Sequence, residues 1–158
     1  MPWTTPKTDW ETGELVAASD MNAIGENFAA LQHPATAAYI TTADISKTLS
    51  EFGDVDSDNL NLTITTTGGD VLVHLHGLVN LGAYQTARID VEVDGTRQGG
   101  DDGIVYVYAA RERGASVRET PSFTRLIQNL SAGTHTFKLQ WKGNVSLKAG
   151  AQFWVREI

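Results

Sequence analysis

Apolar positions along the chain follow two different periods. Near the front, Met21, Ile24, Phe28 and Leu31 are spaced three, four and three apart, which is one face of a helix. Ser19 stands before Asp20 as a candidate N-cap, and Asp20 places negative charge in the first turn, where the helix dipole favours it. Gly25 lies inside the helix, and Pro34 ends it. From Tyr39 onward the period becomes two. "NLNLTIT" sets Leu60, Leu62 and Ile64 against Asn61, Thr63 and Thr65. "ARIDVEVDG" sets Ile89, Val91 and Val93 against Arg88, Asp90 and Glu92, and ends in the hairpin signal Asp94-Gly95. "HTFKLQW" sets Phe137, Leu139 and Trp141 against Thr136, Lys138 and Gln140.

Two stretches are apolar on both faces: "DVLVHLHGLVNL" from Asp70 and "GIVYVYAA" from Gly103. A strand of this kind is expected to be covered on both sides. In a thin sandwich, that points to a second subunit lying against one sheet. Residues 1–18 show no periodic apolar face, yet they carry Pro2, Pro6, Trp3 and Trp10. They read as an extended arm whose tryptophans bury against something. About a dozen helical residues are marginal alone in water, so the helix also needs a partner, either its own head or sister helices. The pattern predicts a mainly β protein, an antiparallel sandwich or jelly roll preceded by an extended arm and one short α-helix. The arm and helix span 1–35 and the head 36–158.

The chain has 158 residues and no cysteine, so it is long enough for a core without disulfide staples. Nineteen acidic residues against twelve basic give a net charge of −7, which repels phosphate backbones and argues against nucleic-acid binding. No apolar run reaches membrane-spanning length. Met1 is followed by Pro2, Trp3 and Thr4, without the basic and apolar regions of a secretion leader.

Candidate chemistry is sparse. His74 and His76 share one face of a strand, and on a three-fold axis they would form a ring of imidazoles. Asp54, Asp56 and Asp58 alternate as at the start of an EF-hand loop, but the sixth position is Asn59 and the twelfth is Thr65, where that loop needs Gly and Glu. Calcium is the one cation left open there, and no other cofactor is expected. No nucleophile elbow, zinc-protease helix or phosphate-binding loop occurs, so the chain reads as a non-enzyme. "YAARERGASVRET", from Tyr108, reads as an exposed polar loop, and Tyr84 in "LGAYQT" as a candidate exposed aromatic on a loop.

The front segment "TDWETGELVAASDMNAIGENFAAL" resembles one found at the start of many tailed-phage and prophage virion proteins. The matching positions are Trp10, Gly13, Glu14, Val16, Ala18, Met21, Asn22, Asn27 and Leu31. The basic residue usual late in that helix is absent, since Glu26 and Asn27 precede Phe28. The back half, through "LSAGTHTFKLQWK" and "FWVREI", looks like the trimeric jelly-roll heads of the tumour-necrosis-factor and C1q type. The resemblance implies a bacteriophage virion structural protein, assembled in the host cytoplasm. It would be a homotrimeric appendage or decoration with the jelly roll facing outward. Trp3, Trp10, Met21, Ile24, Phe28 and Leu31 would attach it to capsid, neck or tail proteins or tie the three chains together. The alternative it implies is a receptor-binding head of a tail or fibre, attaching to host surface glycan or protein.

Overall fold

The computed structural model describes residues 15, 17–32, 34–110 and 116–158, with the backbone alone for 26–32. Among the described residues, the single helix α1 (Ala18–Gln32) precedes twelve strand segments. These are β1 (Thr36–Ile40), β2 (Ile45–Asp54), β3 (Asn61–Thr66), β4 (Gly69–His76), β5 (Val79–Leu81) and β6 (Thr86–Val93), then β7 (Thr96–Arg97), β8 (Val105–Tyr108), β9 (Val117–Glu119), β10 (Ser122–Leu130), β11 (Gly133–Leu147) and β12 (Gln152–Glu157). Every strand pairing is antiparallel.

Several segments are pieces of one interrupted strand. β3 and β2 pair in succession along one edge of β11, and β6 and β5 pair in succession along its other edge. β8 and β9 continue that pattern outward, on β6 and β5 respectively. Merging these pieces, and setting aside the two-residue β7 that hairpins onto β6, leaves eight strands. The first, eighth, third and sixth form one sheet (β1-β12-β4-β10), and the second, seventh, fourth and fifth form the other. This wrapped double Greek-key order is a jelly roll.

Alternation drives the packing as the sequence pattern predicts. Phe137, Leu139 and Trp141 from β11, Ile89, Val91 and Val93 from β6, and Leu62 and Ile64 from β3 share one core with Val71, Val73, Leu75, Phe153 and Val155 of the opposite sheet. Burying a side chain of this size stabilises the fold by about 1.5–3 kcal/mol. The Asp94-Gly95 turn has positive φ at both residues (48° and 85°), the geometry that matches the twist of a two-residue hairpin.

Two local details differ from expectation. α1 begins before Ser19: Ala17 N–H donates to Asp20 Oδ2 (3.1 Å), so Ala17 is the cap and Asp20 reaches back to it. Asp90 lies on the polar side of β6 but is fully buried. Its carboxylate accepts the N–H groups of Val91 and Gly99 (both 2.8 Å) and Arg97 Nη1 (3.1 Å). The Arg97 guanidinium itself lies 4.0 Å from the Phe52 ring centroid. The short β7 hairpin therefore folds back over β6 and covers Asp90 with an ion pair.

Candidate functional site

The two sheets present chemically different outer faces. On β1-β12-β4-β10, register aligns three rows of four outward residues. These are Ala38–Trp154–His74–Thr124, Ile40–Gln152–His76–Ser122 and Thr36–Arg156–Leu72–Leu126. Arg156 is the only residue in these rows with a fixed charge, and no carboxylate occurs among them. Asp70, further along β4, accepts the Asn129 N–H at the end of the sheet (3.0 Å). Apolar side chains remain open to solvent here: Ile40 is 55% exposed and Leu126 40%.

At the centre of this face, His74 stacks on Trp154 with ring centroids 4.9 Å apart. Its Nδ1 lies 2.9 Å from Thr124 Oγ1. Burial, and then the charge of neighbouring His76, hold the His74 imidazole below its ordinary range. At neutral pH the ring is therefore uncharged, and Arg156 is the one fixed charge in the three rows.

The outer face of the other sheet is crossed by ion pairs. Lys138 Nζ lies 3.2 Å from Glu92 and 3.8 Å from Asp54. Gln140 Nε2 donates to both carboxylates (2.7 and 2.9 Å). Lys142 pairs with Glu51 (3.1 Å) and Arg88 with Asp102 (2.9 Å). The hydrogen bond to Glu92, followed by the field of Asp54, raises the Lys138 ammonium above its usual value. Such pairs add little stability, but they suit a face that stays in water.

One aromatic spot interrupts that polar face. Tyr106 and Tyr108 point outward from β8 and are half exposed, while Val105 and Val107 between them pack on the core. The pattern of "VYVY" carried this alternation, although the stretch read as apolar on both sides. Tyr84, in the turn between β5 and β6, is 58% exposed and has φ of +56°.

The expected site residues are placed as follows. Trp3 and Trp10 lie outside the described residues, as do 111–115 of the polar loop. Phe28 and Leu31 belong to α1, and their side chains also lie outside the description. Met21 is 58% exposed and Ile24 half-buried. Among the described residues, the sandwich core takes nothing from α1. α1 precedes β1, an edge strand of this low-charge face, and Ala35 C=O accepts the Glu157 N–H (2.9 Å).

His74 and His76 do share the outward face of β4. Asp54, Asp56 and Asp58 are not gathered. Asp54 faces Lys138 and Gln140. Asp56 closes its own turn by accepting the N–H groups of Asp58 and Asn59 and the Asn59 side-chain amide, bonds that lower its carboxyl even though burial opposes them. Among the described residues, no three or more metal-type side chains cluster.

No family model matches the chain, and no curated protein matches it. Among solved structures, it is similar to dimeric latent PorU from Porphyromonas gingivalis, with 10% identity and a TM-score of 0.34. That match covers 76% of this chain and 13% of PorU. It is also similar to a structure of infectious bursal disease virus Gx strain, with 11% identity and a TM-score of 0.34, covering 79% of this chain and 32% of that one. The chain spans less than a third of either neighbour, and likeness this slight carries no functional argument.

Proposed function

We propose that the protein is a non-catalytic structural component of a bacteriophage virion, built as a homotrimer. Its copies meet through the outer face of β1-β12-β4-β10, its front segment ties it to the particle, and its head projects outward. The observation that carries this reading is the contrast between the two sheet faces. A chain of net charge −7 keeps carboxylates out of the three aligned rows of one face and leaves that face partly apolar, while its other face is crossed by ion pairs. Acidic copies can approach through the first face without like-charge repulsion, and doing so removes Ile40, Leu126 and the Trp154–His74 stack from water.

The path of the chain supports the same arrangement. α1 enters the head through β1, the edge strand of that face, so arms from associated copies start close together. Met21 stays exposed on the single copy, as a helix seam awaiting a partner would require. The number three, and the virion setting, rest on the resemblance of the front segment and of the strand style to phage attachment segments and trimeric jelly-roll heads. Deleting residues 1–34 tests the anchoring. The remaining head is expected to fold and to stay off assembled particles, and normal incorporation of the truncated chain would contradict the proposal.

A further inference from the structure

Two neighbouring strands of the ion-paired sheet break at the same level. The β5–β6 strand opens at 82–85, and its neighbour, β8–β9, opens after Tyr108. The breaks are stitched to each other: Tyr84 N–H donates to Ala109 C=O (2.8 Å), and Ala109 N–H donates to Gln85 C=O (2.9 Å). Loops that a rigid sheet positions in this way carry a disproportionate share of binding residues. Here they set Tyr84 next to the end of β8, whose Tyr106 and Tyr108 face outward opposite Arg88 and Thr86. The Arg88 guanidinium lies over the Tyr106 ring, 5.3 Å from its centroid, and Asp102 holds it at Nε (2.9 Å).

Tyr84 adds an independent observation. A bulky residue with positive φ is strained, and residues held in such conformations cluster at binding and active sites. Tyr84 is 58% exposed, so little packing holds a tyrosine at a position whose φ glycine adopts readily.

We propose that Tyr84, Tyr106 and Tyr108, with Arg88 and Asp102 beside them, form a binding platform for a neutral, hexose-based glycan. Flat phenol rings offer rigid apolar faces to the C–H faces of pyranose rings, and their hydroxyls bond to water or sugar at the rim. A fixed guanidinium and a carboxylate that is 72% exposed supply a donor and an acceptor for neighbouring sugar hydroxyls. Size separates this occupant from a protein. Three half-exposed tyrosines offer about 300 Å² of aromatic surface, and a protein partner, which needs roughly 800 Å² per side, would have to take the rest from the ion-paired surface of Arg88–Asp102 and Lys142–Glu51 beside them. The tyrosine area suits a few sugar rings. The platform lies on the sheet opposite the β1-β12-β4-β10 face, so it stays open when copies meet through that face.

The test passes the full-length chain over an array of immobilised glucose, galactose and mannose oligosaccharides. Retained sugars are then titrated in solution by calorimetry. At least one is expected to bind, and Tyr106→Ala and Tyr108→Ala are each expected to weaken it by about tenfold or more. Tyr84→Gly is expected to weaken it similarly while melting no lower than the parent, because glycine accepts the positive φ. Should the alanine variants fail to fold, Arg88→Gln, and Asp102→Asn at the exposed rim, must still reduce binding severalfold. A parent chain that retains no sugar on the array overturns the proposal, as does binding that the folded variants leave unchanged.

Discussion

Gly143 sits where β11 passes from β6 to β5, and its replacement by alanine gives a quantitative test of the packing. Its φ is +125°, and a Cβ there would lie 2.1 Å from the Thr86 carbonyl oxygen and 3.1 Å from its carbon. Two separate penalties follow. The backbone conformation costs an L-residue about 1–3 kcal/mol. The overlap is with backbone, so it forces the start of β6 away from β11, adding about 2 kcal/mol of overpacking. Gly69 isolates the first penalty, since its φ is +139° and a Cβ there meets nothing within 4 Å. For a chain of this size each kcal/mol lowers the melting temperature by about 2–4 °C. Gly143→Ala is therefore expected to melt about 10 °C below the parent and Gly69→Ala about 5 °C below, in thermal melts followed by circular dichroism at one fixed protein concentration. Thr86 pairs with Tyr108, so the first substitution also shifts the tyrosine platform. Equal melting temperatures for the two variants would refute the clash, and a Gly143→Ala shift within about 1 °C would refute both penalties.

Further expectations follow from individual groups. His135 places Nδ1 2.6 Å from Asp94 Oδ2 and Nε2 2.8 Å from the Ser131 carbonyl, so both nitrogens must donate and the ring is held as an imidazolium. The hydrogen bond to Asp94 is the largest cause of its raised pKa. In the same pair, burial pushes Asp94 up, but the hydrogen bonds from His135 and Thr136 outweigh it and leave that carboxyl lowered. The pair's contribution is then full between about pH 4 and pH 6.5 and is lost as pH rises through the raised histidine value or falls through the lowered carboxyl value. A pH series of urea melts is expected to show a decline above neutrality of about 1 kcal/mol at most, since Asp94 is half exposed and screened, and His135→Gln abolishes it. Asp90→Ala strands the Gly99 and Val91 N–H groups and Arg97, and is expected to cost about 3 kcal/mol in urea melts. Trp154→Glu puts a carboxylate at the centre of the β1-β12-β4-β10 face and is expected to yield single folded chains by sedimentation, whereas retained assembly would contradict that interface. Burial and His76 already lower the His74 pKa in the single chain, and covering this face in an assembly buries the ring further, so protonation opposes assembly. Assembly is expected to weaken as pH falls below the ordinary histidine value near 6.5, measured by the same sedimentation.

Local alternation made much of this architecture readable in advance. The period-two runs around Leu62, Val91 and Leu139 became β3, β6 and β11 with the expected sides buried, and Asp94-Gly95 formed its hairpin. The union of β2 with β3, and of β5 with β6, was not readable, because collinearity along β11 is fixed by partners distant in sequence. β2 itself shows Ile45, Leu49 and Phe52 out of alternation, since a register shift at its pairing with Trp141 and Gly143 breaks the period. Asp90 read as a residue of the polar side, because nothing local announces that Arg97 will fold over it. His74 and His76 were correctly set on one face. The tyrosines of β8 were hidden by their own amphipathicity: a phenol counts as apolar in a pattern yet can stand half in water. The chemical contrast between the two outer faces emerged only once register aligned residues from four separated strands.

The proposed assembly is tested most directly by the mass of the full-length protein in solution at neutral pH, measured by light scattering on a size-exclusion column. Three copies meeting across the β1-β12-β4-β10 face predict a single species of three times the chain mass that persists on dilution. A single species of one chain mass would contradict the account.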